Sequence, residues 1–179
     1  MNVEDIAAAI KRAERILERR PEVGLSEDSI ATVHWEGGLR MRASHAEGHA
    51  VGTDMPTELG GCGNHVSPGW LLRAGLASCL ATSIAMLAAS RGVVLARLDV
   101  RASSRSDLRG LIGMREVSGA AVDPRPQDVE LQVNVAAEEV SAGELREIVA
   151  EAHRRAPMSA ALAAAIPVRL RICIGDSAG

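Results

Sequence analysis

Apolar residues recur along the first part of the chain at Val3, Ile6, Ala7, Ile10, Ala13 and Leu17, with charged residues between them. That spacing places one apolar stripe on a helix and predicts an amphipathic segment ending before Pro21. The period then changes. From Ser29 to Ala43 the text SIATVHWEGGLRMRA reads as two strands about a Gly37-Gly38 turn, and a further short strand is expected over residues 49–53. Residues 60–69 (GGCGNHVSPG) are a loop by composition, closed by Ser67 as N-cap and Pro68 at the first helical position.

The helix predicted from there runs to about Gly92, and no charged residue falls between Arg73 and Arg91. Every face of it is therefore expected to be shielded from water. A membrane span needs a similar length, but Ser78, Thr82, Ser83 and many alanines leave this segment too weakly hydrophobic. Its small residues, among them Ala74, Ala77, Ala81 and Ala85, would let another helix approach closely. Alternating strands are expected over residues 96–103 and 129–135, with part loop and part strand between them. Ser141 and Glu144 form a capping box for a helix through Arg155, whose charged face reads as solvated. A short helix over 159–165 precedes Pro167. Val168, Leu170, Ile172 and Ile174 then alternate with Arg169, Arg171 and Cys173, which predicts a last strand with one buried face. The class is α+β: an appended helix over 1–20, then one domain over 29–174.

Composition narrows the function. There is no Phe or Tyr, so the core is built of small aliphatics. A net charge of -3, from 20 basic and 23 acidic residues, gives no footprint for nucleic acid. Three cysteines without close repeating pairs argue against a disulfide framework and suit a reducing compartment. The charged N-terminal segment lacks the apolar core of a signal peptide, and a cytoplasmic location is expected.

The ordered set of a Trp-Gly-Gly hairpin, residues 56–61 (PTELGG), Ser67-Pro68-Gly69 opening a helix, Ala77-Ser78-Cys79 within it, residues 107–113 (DLRGLIG) and a late capped helix ending in Ala156-Pro157 resembles the OsmC/Ohr family. The resemblance implies an intertwined homodimer, with antiparallel sheets wrapped around long central helices. It also implies thiol-dependent reduction of organic hydroperoxides in oxidative stress defence, through a cysteine matching Cys79 and without a cofactor. In that family an arginine lowers the thiol pKa, a glutamate near the helix start holds the arginine, and a cysteine before a proline resolves the sulfenic acid. Here Gly69 stands at the glutamate position and Ala156 at that of the resolving cysteine.

The chemistry asks for the same parts. Only the thiolate attacks a peroxide oxygen, and a free thiol, pKa about 8.5, is mostly protonated at neutral pH. Cys79 lies about three turns into its helix, beyond reach of that helix's own dipole. Arg40 and Arg42 from the hairpin are the positional candidates for holding the anion, with Arg73 behind them. An external thiol or Cys62 would resolve oxidised Cys79. A cysteine on an apolar helix is also an ordinary small hydrophobe, and the alternative is a non-catalytic dimer of the same fold that binds a small apolar ligand or acts as a scaffold. Cys62, His65, His45 and His49 are zinc-type residues, but their spacing fits no standard site, and no metal is expected. Asp107 and Arg109 either bind an anion or brace a turn, and no role is expected for Cys173.

Overall fold

The computed structural model describes residues 2–173. Helix α1, Val3–Arg19, opens on Asn2, whose side chain accepts from the Asp5 amide while the Asp5 carboxylate accepts from the Asn2 amide. Strands β1 (Thr32–Gly37), β2 (Arg40–Ser44) and β3 (Ala50–Thr53) form an antiparallel sheet in that order. The tight turn at Gly37 and Gly38 needs positive φ at both, 103° and 58°, which glycine supplies without strain. Helix α2, Pro68–Ser90, starts as the sequence dictates: the Ser67 side chain accepts from the Trp70 amide and Pro68 takes the first position. Strands β4 (Leu95–Arg105) and β5 (Gln127–Ala137) pair antiparallel as a second sheet, with the short helix α3 (Leu108–Leu111) between them. Helix α4 (Ala142–Arg155) is capped by Ser141, and α5 (Pro157–Ala164) follows directly.

The core sits where α2 crosses the second sheet and α4. Leu80, Ile84, Leu87 and Ala88 of α2 meet Ile148, Ala152 and Ala156, with Leu98, Val100, Leu131 and Val133 of the sheet packed around them. Burying each large aliphatic here contributes on the order of 1.5–3 kcal/mol. Alanines at 88, 152 and 156, all nearly inaccessible, let α2 and α4 lie close.

One expectation, the last strand, is corrected, and the cover of the central helix is met in part within the single chain. Helix α2 is not covered on all faces within the chain: Leu76, Leu80, Ile84 and Leu87 are buried, whereas Leu72, Ser78, Thr82 and Met86 face out. Within the chain β4, α1, α4 and α5 pack against α2 and leave the rest of its surface open, although it has the length and hydropathy (23 residues, 1.6) of a membrane-crossing helix. The last strand is not formed either. Residues 168–173 have no ladder partner, and Val168, Leu170 and Ile172 are 93%, 82% and 74% exposed; Ile174 lies outside the described residues. Alternation sets which face a strand would bury, but without a neighbour to accept its backbone hydrogen bonds a segment is no strand.

The connection between β4 and β5 is braced by close packing. A Cβ at Gly110 would stand 2.7 Å from the Asp123 carbonyl oxygen and 2.8 Å from Pro124 Cα, both backbone atoms. Gly110→Ala is therefore expected to cost about 1–3 kcal/mol through overpacking, read as a lower midpoint in urea unfolding. An unchanged midpoint would show that the loop yields freely.

Candidate active site around Cys79

Cys79 lies on α2, half-buried, packed against the cluster that includes Leu80, Ile84 and Ala156. Its environment is set by α5. Ala156 is the N-cap of that helix and offers no side-chain cap, while Pro157 occupies the first helical position. The first-turn amides consequently lack partners inside the helix, and the Met158 amide donates to Cys79 Sγ at 3.5 Å. The same helix end carries the positive pole of the α5 dipole, which favours negative charge within about one turn. The sulfur thus meets a donor from a different helix, whereas the dipole of α2 acts too far away. On the other side, Ser83 Oγ donates to the Cys79 carbonyl at 2.9 Å, an i to i−4 bond that leaves Sγ free.

None of the arginines singled out in the sequence meets the sulfur within the chain. Arg42 Nε is 2.6 Å from Glu36 Oε1, and this partner holds the Glu36 carboxyl below its ordinary range. The register pairs Val33 with Ala43 and Trp35 with Met41, so Arg42, opposite His34, lies on the other face of the sheet from these apolar residues. Arg40 is exposed at the start of β2. Arg73 Nη1 lies 3.3 Å from Ser104 Oγ, tied to the end of β4. Cys62 is exposed in the loop before α2, and its amide donates to Asp54 Oδ2 at 3.0 Å. Cys79 stands about 16 Å along the helix axis from Pro68, where that loop ends. Ala156 is fully buried against the cluster that Cys79 joins.

Sequence reasoning missed two groups. The first is the Met158 amide: the short helix was expected two residues late, from Ser159, although Pro157 is a strong first-position signal. The second is Asp54, 1% exposed, whose carboxylate gathers the loop ahead of α2. Burial opposes its ionised form, but amides of Met55, Cys62 and Asn64 donate to it and Arg40 adds positive charge, so its pKa is held below the ordinary aspartate value. This loop is dense: a Cβ on Gly61 would fall 1.8 Å from the Met55 carbonyl oxygen.

Since the folded chain binds fewer protons at Asp54 than the unfolded chain, its contribution is complete above the unfolded pKa. It is lost as pH falls through the lower folded value. Below about pH 4 the unmodified chain should shed thermal stability more steeply than Asp54→Asn, which lacks that titration. Parallel acid limbs in a pH series of thermal midpoints would remove this role from Asp54.

Arg109 Nη2 pairs with Asp107 at 2.6 Å and with Glu116 at 3.2 Å, and Asp107 caps α3, so the group braces a turn. His45 and His49 have ring centroids 6.4 Å apart. Among the described residues no three His, Cys, Asp or Glu side chains converge as metal ligands. Cys173 is exposed.

Comparison with known proteins follows the same lines. The profile of the OsmC-like protein family matches residues 61–171. No curated protein matches the sequence. Among solved structures, an OsmC-like protein from Mycoplasma pneumoniae aligns at 15% identity and a TM-score of 0.63, over 78% of this chain and 89% of that one. An osmotic stress induced and detoxification response protein from Psychrobacter arcticus aligns at 20% identity and 0.60, over 76% and 90%. An organic hydroperoxide resistance protein from Legionella pneumophila aligns at 22% identity and 0.56, over 77% and 90%. With a long α2 set against antiparallel sheets and a family profile spanning most of the chain, this protein belongs to the OsmC-like family.

Proposed function

We propose that the chain reduces organic hydroperoxides with Cys79 as the attacking thiol. The observation that carries this reading is the Met158 amide on Cys79 Sγ at the N-terminus of α5. A sulfur there accepts the Met158 hydrogen bond at the N-terminal end of α5, a contact that needs no neighbouring arginine. The sulfur attacks one peroxide oxygen, the O–O bond breaks, and the leaving alkoxide takes a proton to become an alcohol. Cys79 is left as a sulfenic acid. An external thiol condenses with it, releasing water and forming a mixed disulfide; a second thiol regenerates Cys79 and leaves as the other half of an external disulfide. Ala156 at the N-cap cannot act as a resolving thiol, and the separation of Cys62 along α2 favours the external donor.

The reading includes a homodimer in the cytoplasm. Among the described residues, apolar surface is exposed on the α2 stripe at Leu72 and Met86 and on the β1–β3 face carrying Val33 and Trp35. Laying one on the other from a second copy buries both, as association of apolar faces requires.

The role of the amide is tested by Met158→Pro, which deletes the N–H while the first turn of a helix tolerates proline. Alkylation of Cys79 by iodoacetamide at neutral pH should slow by about tenfold, the value of one hydrogen bond to a charged group, with circular dichroism unchanged. Equal rates would remove the amide as the source of thiol activation. Dimedone with cumene hydroperoxide should label Cys79; neither adduct nor peroxide consumption with dithiols would favour a non-catalytic dimer of this fold.

A further inference from the structure

The Met158 amide is followed on the first turn of α5 by a second polar group, the Ser159 hydroxyl. Its oxygen is inaccessible to solvent and has no hydrogen-bond partner among the described residues. No other buried side-chain nitrogen or oxygen among them is left in this state. Such a hydroxyl costs stability, because it has given up water without gaining a partner. Alanine, which α5 uses at 160, 161, 163 and 164, would avoid that cost. The surroundings of the hydroxyl suggest what it is for. A groove of about 1110 Å³ lies between β5, α4 and α5, and Ser159 lines it together with Leu76 and Leu80 of α2. Leu80 follows Cys79 and Ser159 follows Met158, so the neighbours of both partners in the Met158 to Sγ bond face one cavity.

We infer that the Ser159 hydroxyl holds the oxygen that Cys79 takes from a peroxide, and so keeps the sulfenic acid protonated until a thiol reaches it; this rests on Cys79 being the attacking thiol proposed above. The two groups on the first turn differ in what they offer. A backbone N–H only donates, whereas a hydroxyl also accepts. An ionised sulfur has no hydrogen to give, so the hydroxyl is left over in the reduced protein. After attack the sulfur carries an O–H group, and Ser159 Oγ accepts its hydrogen while the Met158 amide stays on the sulfur. The chain has a reason to need this hold: Ala156 supplies no thiol, so the sulfenic acid waits for a donor from solution. Without it the O–H ionises and the sulfenate sulfur attacks a second hydroperoxide. The O–O bond breaks, an alcohol leaves, and Cys79 becomes a sulfinic acid that thiols do not reduce.

The test compares the whole unmodified protein with Ser159→Ala, each exposed to excess cumene hydroperoxide without thiol. Samples are quenched with dimedone at intervals, and the peptide carrying Cys79 is followed by mass spectrometry. In Ser159→Ala the ratio of dimedone adduct to sulfinic acid on Cys79 should fall by about fivefold, the equilibrium factor of one net hydrogen bond. Alkylation of reduced Cys79 by iodoacetamide should keep its rate, because the Met158 amide is untouched. The thermal midpoint of the reduced variant should equal or exceed that of the unmodified chain, since an unpartnered buried hydroxyl has been removed. A lower midpoint with an unchanged ratio would assign the hydroxyl to packing and overturn the inference. An unchanged ratio in two equally stable proteins that both form the adduct overturns it as well, and leaves the peroxidase reading standing. If Cys79 of the unmodified chain gains neither adduct nor oxygen, both fall together.

Discussion

Replacing Cys79 with serine is expected to lower the consumption of cumene hydroperoxide in the presence of a dithiol by about a hundredfold or more, as loss of the only nucleophile in a chemical step does. Serine fills nearly the same volume, so the α2–α4 core should keep its packing and the thermal midpoint should hardly move. The hydroxyl accepts the Met158 hydrogen bond but does not ionise near neutral pH, and oxygen attacks a peroxide far less readily than a thiolate sulfur. Cys62→Ser supplies the contrast. Cys62 is exposed and held through its backbone amide to Asp54, so its thiol can be removed without disturbing that anchor. With an external donor, Cys62→Ser retains most of the turnover; if Cys62 resolves the sulfenic acid, the variant completes one turnover and then depends on added thiol. Full activity in Cys79→Ser would end the proposal outright.

What could be seen in the sequence were features whose cause lies within a few residues. Ser67-Pro68 and Ser141 announce their helices because a cap needs only the next three amides, and the Gly37-Gly38 turn follows from positive φ. The length of α2 follows from its uninterrupted apolar run. Features that depend on distant partners were not visible. The sulfur of Cys79 meets an amide 79 residues later in the chain, and no local pattern encodes that meeting. The apolar run of α2 was expected to be covered everywhere, but hydrophobicity records which faces should avoid water and not which chain covers them. Segment 168–173 shows the same limit: its alternation is real, yet the ladder that would make it a strand requires a neighbour. Asp54 carries no local signal, because its role comes from amides at 62 and 64 folding back upon it.

The second large effect is expected at Ile84, which is completely buried and sits one helical turn beyond Leu80 in the middle of the cluster. Ile84→Ala removes three carbons from the place where α2, α4 and the β4–β5 sheet meet. The loss combines the transfer free energy of the methyl groups with that of the remaining cavity, about 2–5 kcal/mol. Neighbours at Ala88, Ala152 and Ala156 are too small to fill the space by changing rotamer, which favours the upper half of the range. Against a total stability on the order of 5–15 kcal/mol for a domain, such a loss is decisive, and should appear as a fall of about 2–4 °C in the thermal midpoint for each kcal/mol. It should also reach the thiol. Cys79 and Ala156 belong to the same packed region, so loosening it lets α5 shift relative to α2 and lengthens the contact from Met158 to Sγ. Alkylation of Cys79 should therefore change in Ile84→Ala under conditions where the protein is still folded. A large loss of stability with an unaltered alkylation rate would show that α5 is held on Cys79 by something other than this core.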